Sequence, residues 1–240
     1  MILTLLTKDF GKVKTVLHGG RGTSKRFSAP PDIFDCGVVE VARPRASSNL
    51  YVLHSFSQKM VFETLRKDIS RFTLASFCLE ACDLFSLEGE PETTKFFNPL
   101  YHALNNLNKE ELTLTQYSCA VIFFFLIILK IAGYNPANVQ CTMYDVGAHP
   151  RVRPSHVQPD VQLGEESQET VSARGVQSEE KNMEADVKLW FSKMLEINSP
   201  ILFDNTALIT AAFSFLITFA ENVLEKKFKT TTDLFLALRG

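Results

Sequence analysis

Short β-prone apolar runs separated by polar turns fill residues 1–57, and from Met60 apolar positions step by three and four for most of the rest. Ile2–Leu6 and Val13–Leu17 are two β-prone runs that meet at a turn region carrying Lys8, Gly11, Lys12 and Lys14, which predicts a hairpin. Asp35–Ala42 predicts a third strand. Asn49–Ser57 predicts a fourth, with Tyr51, Leu53 and Ser55 on one face and Val52, His54 and Phe56 on the other. Arg43-Pro-Arg-Ala-Ser-Ser48 between them has turn chemistry. From Met60 the spacing of Val61, Leu65, Ile69, Phe72, Ala75, Leu79 and Cys82 predicts an amphipathic helix over 60–85. Glu88-Gly-Glu-Pro91 breaks it, and Phe96, Leu100, Leu104 and Leu107 mark a second helix. Thr113-Leu-Thr-Gln116 is a capping-box pattern opening a third, running to Ala132 and stopping at Gly133 with Pro136 just beyond. Residues 142–183, rich in Pro, Ser, Glu and Gln, read as a mobile insertion or linker. Val187, Trp190, Phe191 and Met194 then share a helical face; Asp204 or Asn205 caps a helix to about Lys227, and Thr230–Leu238 closes with another. The class is α+β: a small barrel or sandwich over residues 1–58, then an all-helical bundle over 59–240.

Charge divides the chain in the same place. Residues 1–60 carry nine Lys and Arg against four Asp and Glu, so the overall −2 comprises +5 in this part and −7 in the remainder. A basic small part joined to an acidic larger one suits a polyanion on the first side. The five cysteines, Cys36, Cys78, Cys82, Cys119 and Cys141, are odd in number and mostly among apolar neighbours, which fits free thiols in a reducing cytosol. Met1–Leu6 followed by Lys and Asp does not read as a signal peptide. The apolar runs Cys119–Leu129 and Ala207–Ala220 are shorter than the roughly 18–20 residues of a membrane span, so both are expected as core helices.

Candidate chemistry is concentrated in the basic part. Gly19, Gly20 and Gly22 suggest a phosphate loop, but Lys25 is followed by Arg instead of Ser or Thr. Lys25 also stands where a dinucleotide fingerprint needs its third Gly, and Pro30-Pro31 opposes the helix that fingerprint must open. What remains is a cationic hairpin and loops. Lys8, Lys12, Lys14, Arg21, Lys25, Arg26, Arg43 and Arg45 are the expected phosphate contacts of a nucleic acid, releasing counterions as they bind. A solvated surface is the competing reading. Cys141 with His149 and His156 matches no standard zinc spacing, and Cys78 and Cys82 lie one turn apart on a core stripe. No nucleophile elbow or zincin helix is present, and Glu88 and Glu90 read as solvated carboxylates, so no enzyme is expected. Phe123, Phe124, Phe125, Phe213, Phe215 and Phe219 are expected chiefly as core, with Phe123 and Phe213 as a possible groove for an apolar protein tail.

Several segments, taken in order, carry a resemblance. Leu5–Val16 is a Leu-rich strand, a turn and a basic-apolar strand; Gly19-Gly-Arg21 with Lys25-Arg-Phe27 follows, then Ile33-Phe34 and Val38–Val41. Lys130-Ile-Ala-Gly-Tyr-Asn-Pro136 ends a helix, and Lys229–Phe235 matches loosely near the end. In this order and spacing they resemble the RecO family of bacterial recombination mediators. The resemblance implies an N-terminal OB-fold and a C-terminal helical domain, with no catalytic residues and no cofactor. It also implies binding to single- and double-stranded DNA, strand annealing, and work with RecR, single-stranded DNA-binding protein and RecA in the cytoplasm, at the nucleoid. The family usually has a strand ahead of the one at Ile2, so the barrel is expected to lack its first strand. His18 and Gly22 replace family basic residues. Cys141 falls where many members place a first zinc cysteine, but no cysteine follows it, so no metal is expected. The alternative is a helical interaction scaffold without DNA binding.

Overall fold

Thr7 closes the first turn: its hydroxyl donates to the Gly11 carbonyl at 2.9 Å and accepts from the Phe10 N–H at 3.1 Å. Gly11 takes a φ of +64°, which costs an L side chain but not glycine. The expected hairpin therefore forms, with β1 (Ile2–Thr7) antiparallel to β2 (Gly11–Val16) in register from Ile2–Val16 to Thr7–Gly11. This computed structural model describes residues 1–18, 31–43, 50–136, 171–202 and 205–238. β3 (Cys36–Ala42) and β4 (Tyr51–Met60) pair antiparallel, and β4 joins β2 in parallel at Thr15–Tyr51 and Val16–Val52. The order is β1-β2-β4-β3. β1 and β3 are free edges among the described residues, so the expected barrel is not closed here and the element is a mixed four-stranded sheet.

The simple alternation expected along β4 fails at a bulge. Glu40 pairs with Ser55 and Val41 with Leu53, so His54 is left without a partner. One extra residue reverses face parity, which brings Leu53 and Phe56 to the same side. There they meet Leu3, Leu17, Val39 and Val41 in a small core belonging to the sheet. A second irregularity lies between the Cys36–Met60 and Gly37–Gln58 pairs and leaves Lys59 outside the ladder.

The expected helix over 60–85 begins later. β4 continues to Met60, a 3-10 turn occupies Thr64–Arg66, and α1 (Ile69–Phe85) starts where the Asp68 carboxylate accepts the Arg71 N–H at 3.0 Å. Leu65 fits the helical spacing because a 3-10 turn also repeats near three residues, and it is fully buried. A second 3-10 turn, Pro91–Phe96, leads into α2 (Phe97–Leu107). α3 (Leu114–Ile131) opens on the expected capping box, with Thr113 and Gln116 bonding each other's backbone N–H. It closes in a Schellman motif: Gly133, at φ +88°, donates to Lys130 O and Tyr134 donates to Leu129 O.

α4 (Val171–Ile197) corrects the expected linker over 171–183, which is helical; residues 142–170 lie outside the described residues. Its predicted face of Val187, Trp190, Phe191 and Met194 is buried. Asn205 caps α5 (Thr206–Leu224), which stops at Glu225 in a left-handed conformation, three residues before Phe228. α6 (Thr231–Ala237) is tied to α1 by the Glu80 carboxylate, which accepts the Lys229 and Thr230 N–H groups and the Thr230 hydroxyl.

α3 and α5 span 18 and 19 residues, so the argument that their apolar runs are too short for a membrane does not hold. Both are nevertheless packed in the bundle's centre. Ile122, Phe125, Ile128, Phe213 and Leu216 are fully buried, and Phe77 of α1 touches the rings of Phe125, Phe213 and Phe228 at 5.1–5.9 Å.

Candidate nucleic-acid interface

The cations of β2 alternate with its apolar residues, so they share one face. Val13, Thr15 and Leu17 are buried on one side, and Lys12 and Lys14 lie on the other. That second face is covered at Lys12 and partly open at Lys14. Leu6, opposite Lys12, packs on the helical core. Lys12 Nζ meets the Asp83 carboxylate at 2.7 Å, the Asp83 carbonyl at 2.8 Å and the Ser86 carbonyl at 3.3 Å. A cation is thus placed on the last carbonyls of α1, where the helix dipole favours it. Its side chain is only 13% exposed. Lys14 pairs with Glu88, and that hydrogen bond and attraction raise its pKa above the ordinary value. The Lys12 N–H donates to the Thr93 hydroxyl at 3.2 Å, and a Cβ on Gly11 would stand 1.8 Å from that oxygen. Sequence proximity put Lys12 and Lys14 among the expected phosphate contacts; the fold turns both toward α1 and the acidic loop after it.

The register separates the remaining cations into two groups. Val16 pairs with both Ile2 and Val52, and Val52 also pairs with Ala42. One end of the sheet therefore gathers the start of β1, His18 after β2, Arg43 after β3 and the start of β4. His18 and Arg43 are exposed. The basic segments that contain Arg21, Lys25, Arg26 and Arg45 leave the described chain at these two residues and themselves lie outside it. Lys8 is exposed at the opposite end, about 17–20 Å away along a six-residue strand. Beside it Phe10 is 71% exposed. Phe10 and the exposed Lys59 were absent from the sequence-based set. A Phe in the otherwise polar turn Lys8-Asp-Phe-Gly11 was the available signal, but it reads equally well as the first apolar residue of a strand.

A second seam joins sheet and helices. Arg66 donates to the Asp35 carboxylate at 2.8 Å and to the Ile33 carbonyl. Between them Phe34, held at φ +66°, is buried in the helical core with its ring edge-on to Phe72. For a bulky residue that backbone is strained, and the burial of the ring offsets it.

The expected tail groove is not formed as drawn, because Phe213 is wholly buried against Phe77 and Phe123 is half-buried on the same core. An open groove of about 550 Å³ lies instead between α1 and α6, with Ile69, Phe72, Thr230, Asp233 and Leu236 in its lining. Cys78, Cys82 and Cys119 are buried. Desolvation pushes the thiols of Cys78 and Cys82 well above the usual range, so both stay protonated. No group of three metal-ligating side chains occurs among the described residues, and Cys141, His149 and His156 lie outside them.

Comparison with known proteins bears on residues 66–163, which match the family model for the C-terminal part of recombination protein O. A DNA repair protein RecO from Syntrophus aciditrophicus is 29% identical over 153 residues, covering 64% of this chain and 57% of that protein. One from Alkaliphilus metalliredigens is 27% identical over 140 residues, 58% and 54% of the two chains, and one from Cutibacterium acnes is 29% identical over 160 residues, 64% and 63%. The chain thus spans little more than half the length of the relatives it matches. No solved structure matches it.

Proposed function

We propose that this chain, which matches the RecO family over its helical part, acts in DNA repair and recombination: it binds DNA through one end of its sheet and promotes strand annealing as a non-catalytic mediator. The observation that carries this reading is the register. It sets Arg43 at the same end of the sheet as His18, and these are the described residues that immediately precede the basic segments 44–49 and 19–30. Arg21, Lys25, Arg26, Arg43 and Arg45 are then the principal phosphate contacts. Lys8 and Phe10 form a secondary point at the far turn, where an exposed ring beside a cation suits a stacked base. The strand order with its parallel β2–β4 pair supports an OB-fold-like module over 1–58, ahead of a helical domain over 59–240. RecR, single-stranded DNA-binding protein and RecA are its partners in this proposal, and the bacterial cytoplasm, at the nucleoid, is its place.

Anisotropy of a labelled single-stranded oligonucleotide, titrated across a salt series, tests the reading. Affinity should fall with salt by a slope of about 0.7 per phosphate neutralised. Charge reversal at Arg43 and Arg45 together should weaken binding at least tenfold at low salt and reduce that slope by about 1.4. Unchanged affinity in that variant would remove the site, and no binding at low salt would leave a helical interaction scaffold.

A further inference from the structure

The loop after α1 is acidic along its length: Glu88, Glu90 and Glu92 follow Asp83 and are exposed. It lies against the lysine face of β2, and the two lysines are held differently. Lys12 is seated on three oxygens at the end of α1 and is nearly covered. Lys14 has one anionic partner, Glu88, and the two side chains are 44% and 39% exposed. Next to Glu88 the chain faces open space at Gly89, with nothing within 4 Å of a Cβ built there, and at Glu90 it returns to the sheet, its carbonyl beside Gly11. Glu92 is paired with Lys95, whereas Glu90 has no ion-pair partner among the described residues.

We propose that Glu88 is an internal stand-in for a phosphate, masking Lys14 so that a polyanion must displace it. This rests on the DNA-binding reading above and adds a regulatory contact to it. An ion pair this exposed holds weakly and exchanges readily, so the mask trims affinity without blocking it. Lys12 cannot be recruited in the same way, since freeing it would strip a cation from the end of α1. The device therefore gates one cation and leaves the junction intact. Its consequence is a lower affinity for any polyanion and a larger relative weight for the basic end of the sheet.

The test compares Glu88→Gln with Glu90→Gln, which removes the same charge from the same loop without uncovering a lysine. Binding of a labelled single-stranded oligonucleotide and of its duplex is read by anisotropy across salt. E88Q should bind roughly two- to fivefold more tightly than E90Q at low salt, with a salt slope steeper by about 0.7 on single strands. Adding Lys14→Gln to E88Q should abolish that extra gain. Unchanged thermal unfolding of each variant keeps the comparison free of folding defects. Equal gains in E88Q and E90Q, or a gain that survives Lys14→Gln, would overturn the mask and leave DNA binding standing. If neither the unaltered chain nor E88Q bound DNA at low salt, both proposals would fall.

Discussion

The sheet and the helical bundle are held by different means. The bundle has a continuous interior in which Phe77, Phe125, Phe191, Phe213 and many aliphatic side chains are fully buried. The sheet's own core consists of Leu17 and Leu53 with four partly buried neighbours. Four strands around so little apolar area are marginal alone. The sheet therefore leans on the helices: Phe34 is inserted into their core, Lys12 caps α1, Thr93 meets Gly11, and Arg66 holds Asp35. A surface carrying the proposed DNA contacts is thus oriented by a larger body that contributes few cations to it. The same seam consumes one of the lysines that the sequence offered for binding, Lys12, and pairs a second, Lys14, with Glu88.

The contrast can be broken most severely at the bundle's centre. Phe77→Ala removes a ring packed on three others and should cost about 3–5 kcal/mol, unfolding sheet and bundle together in a thermal melt. If the sheet melted separately and unchanged, its dependence on the bundle would be refuted. Gly11→Ala aims at the seam. The backbone alone costs about 1–2 kcal/mol at positive φ, and Thr93 must also move. Hydrogen exchange should accelerate across β1 and β2 while α3 keeps its protection; equal acceleration in both would mean one cooperative unit with no weaker part. The smallest effect is chemical. In a Cys141→Ser background, Cys36, which is half-buried in the sheet with its pKa raised by burial, should be the first thiol to react with a thiol reagent, slowly. Cys78, Cys82 and Cys119 should stay silent until denaturant is added. Early labelling of Cys78 would show that the bundle opens as easily as the sheet.

What could be read in advance divides along the range of the interactions. The Thr113–Gln116 box, the Gly133 stop and the Asn205 cap are bonds between residues a few positions apart, so their residue types announce them. The hairpin followed from two β-prone runs and the turn residues between them. The bulge at His54 did not, because it is defined by what β3 places opposite. The start of α1 was misplaced because Leu65 satisfies two helical periods, and only the Asp68 cap decides between them. For the site, the residue types were legible and the faces were not. Lys12 finds its partners 71 and 74 positions away, and no spacing rule reaches that far. The joining of Arg43 to the end of β2 depends equally on a parallel pairing across 36 residues.

The polar clasp between Glu80 and the turn at Lys229–Thr230 spans 150 positions, and beside it the ring of Phe228 stacks on Phe77 at 5.4 Å. During synthesis, α1 leaves the ribosome with this side of its core bare. At ordinary elongation rates the covering residues arrive on the order of ten seconds later. Through that interval a newly made aromatic face has no native partner from this part of the chain. The order of translation therefore leaves one side of α1 uncovered until the last helical turns arrive to close it.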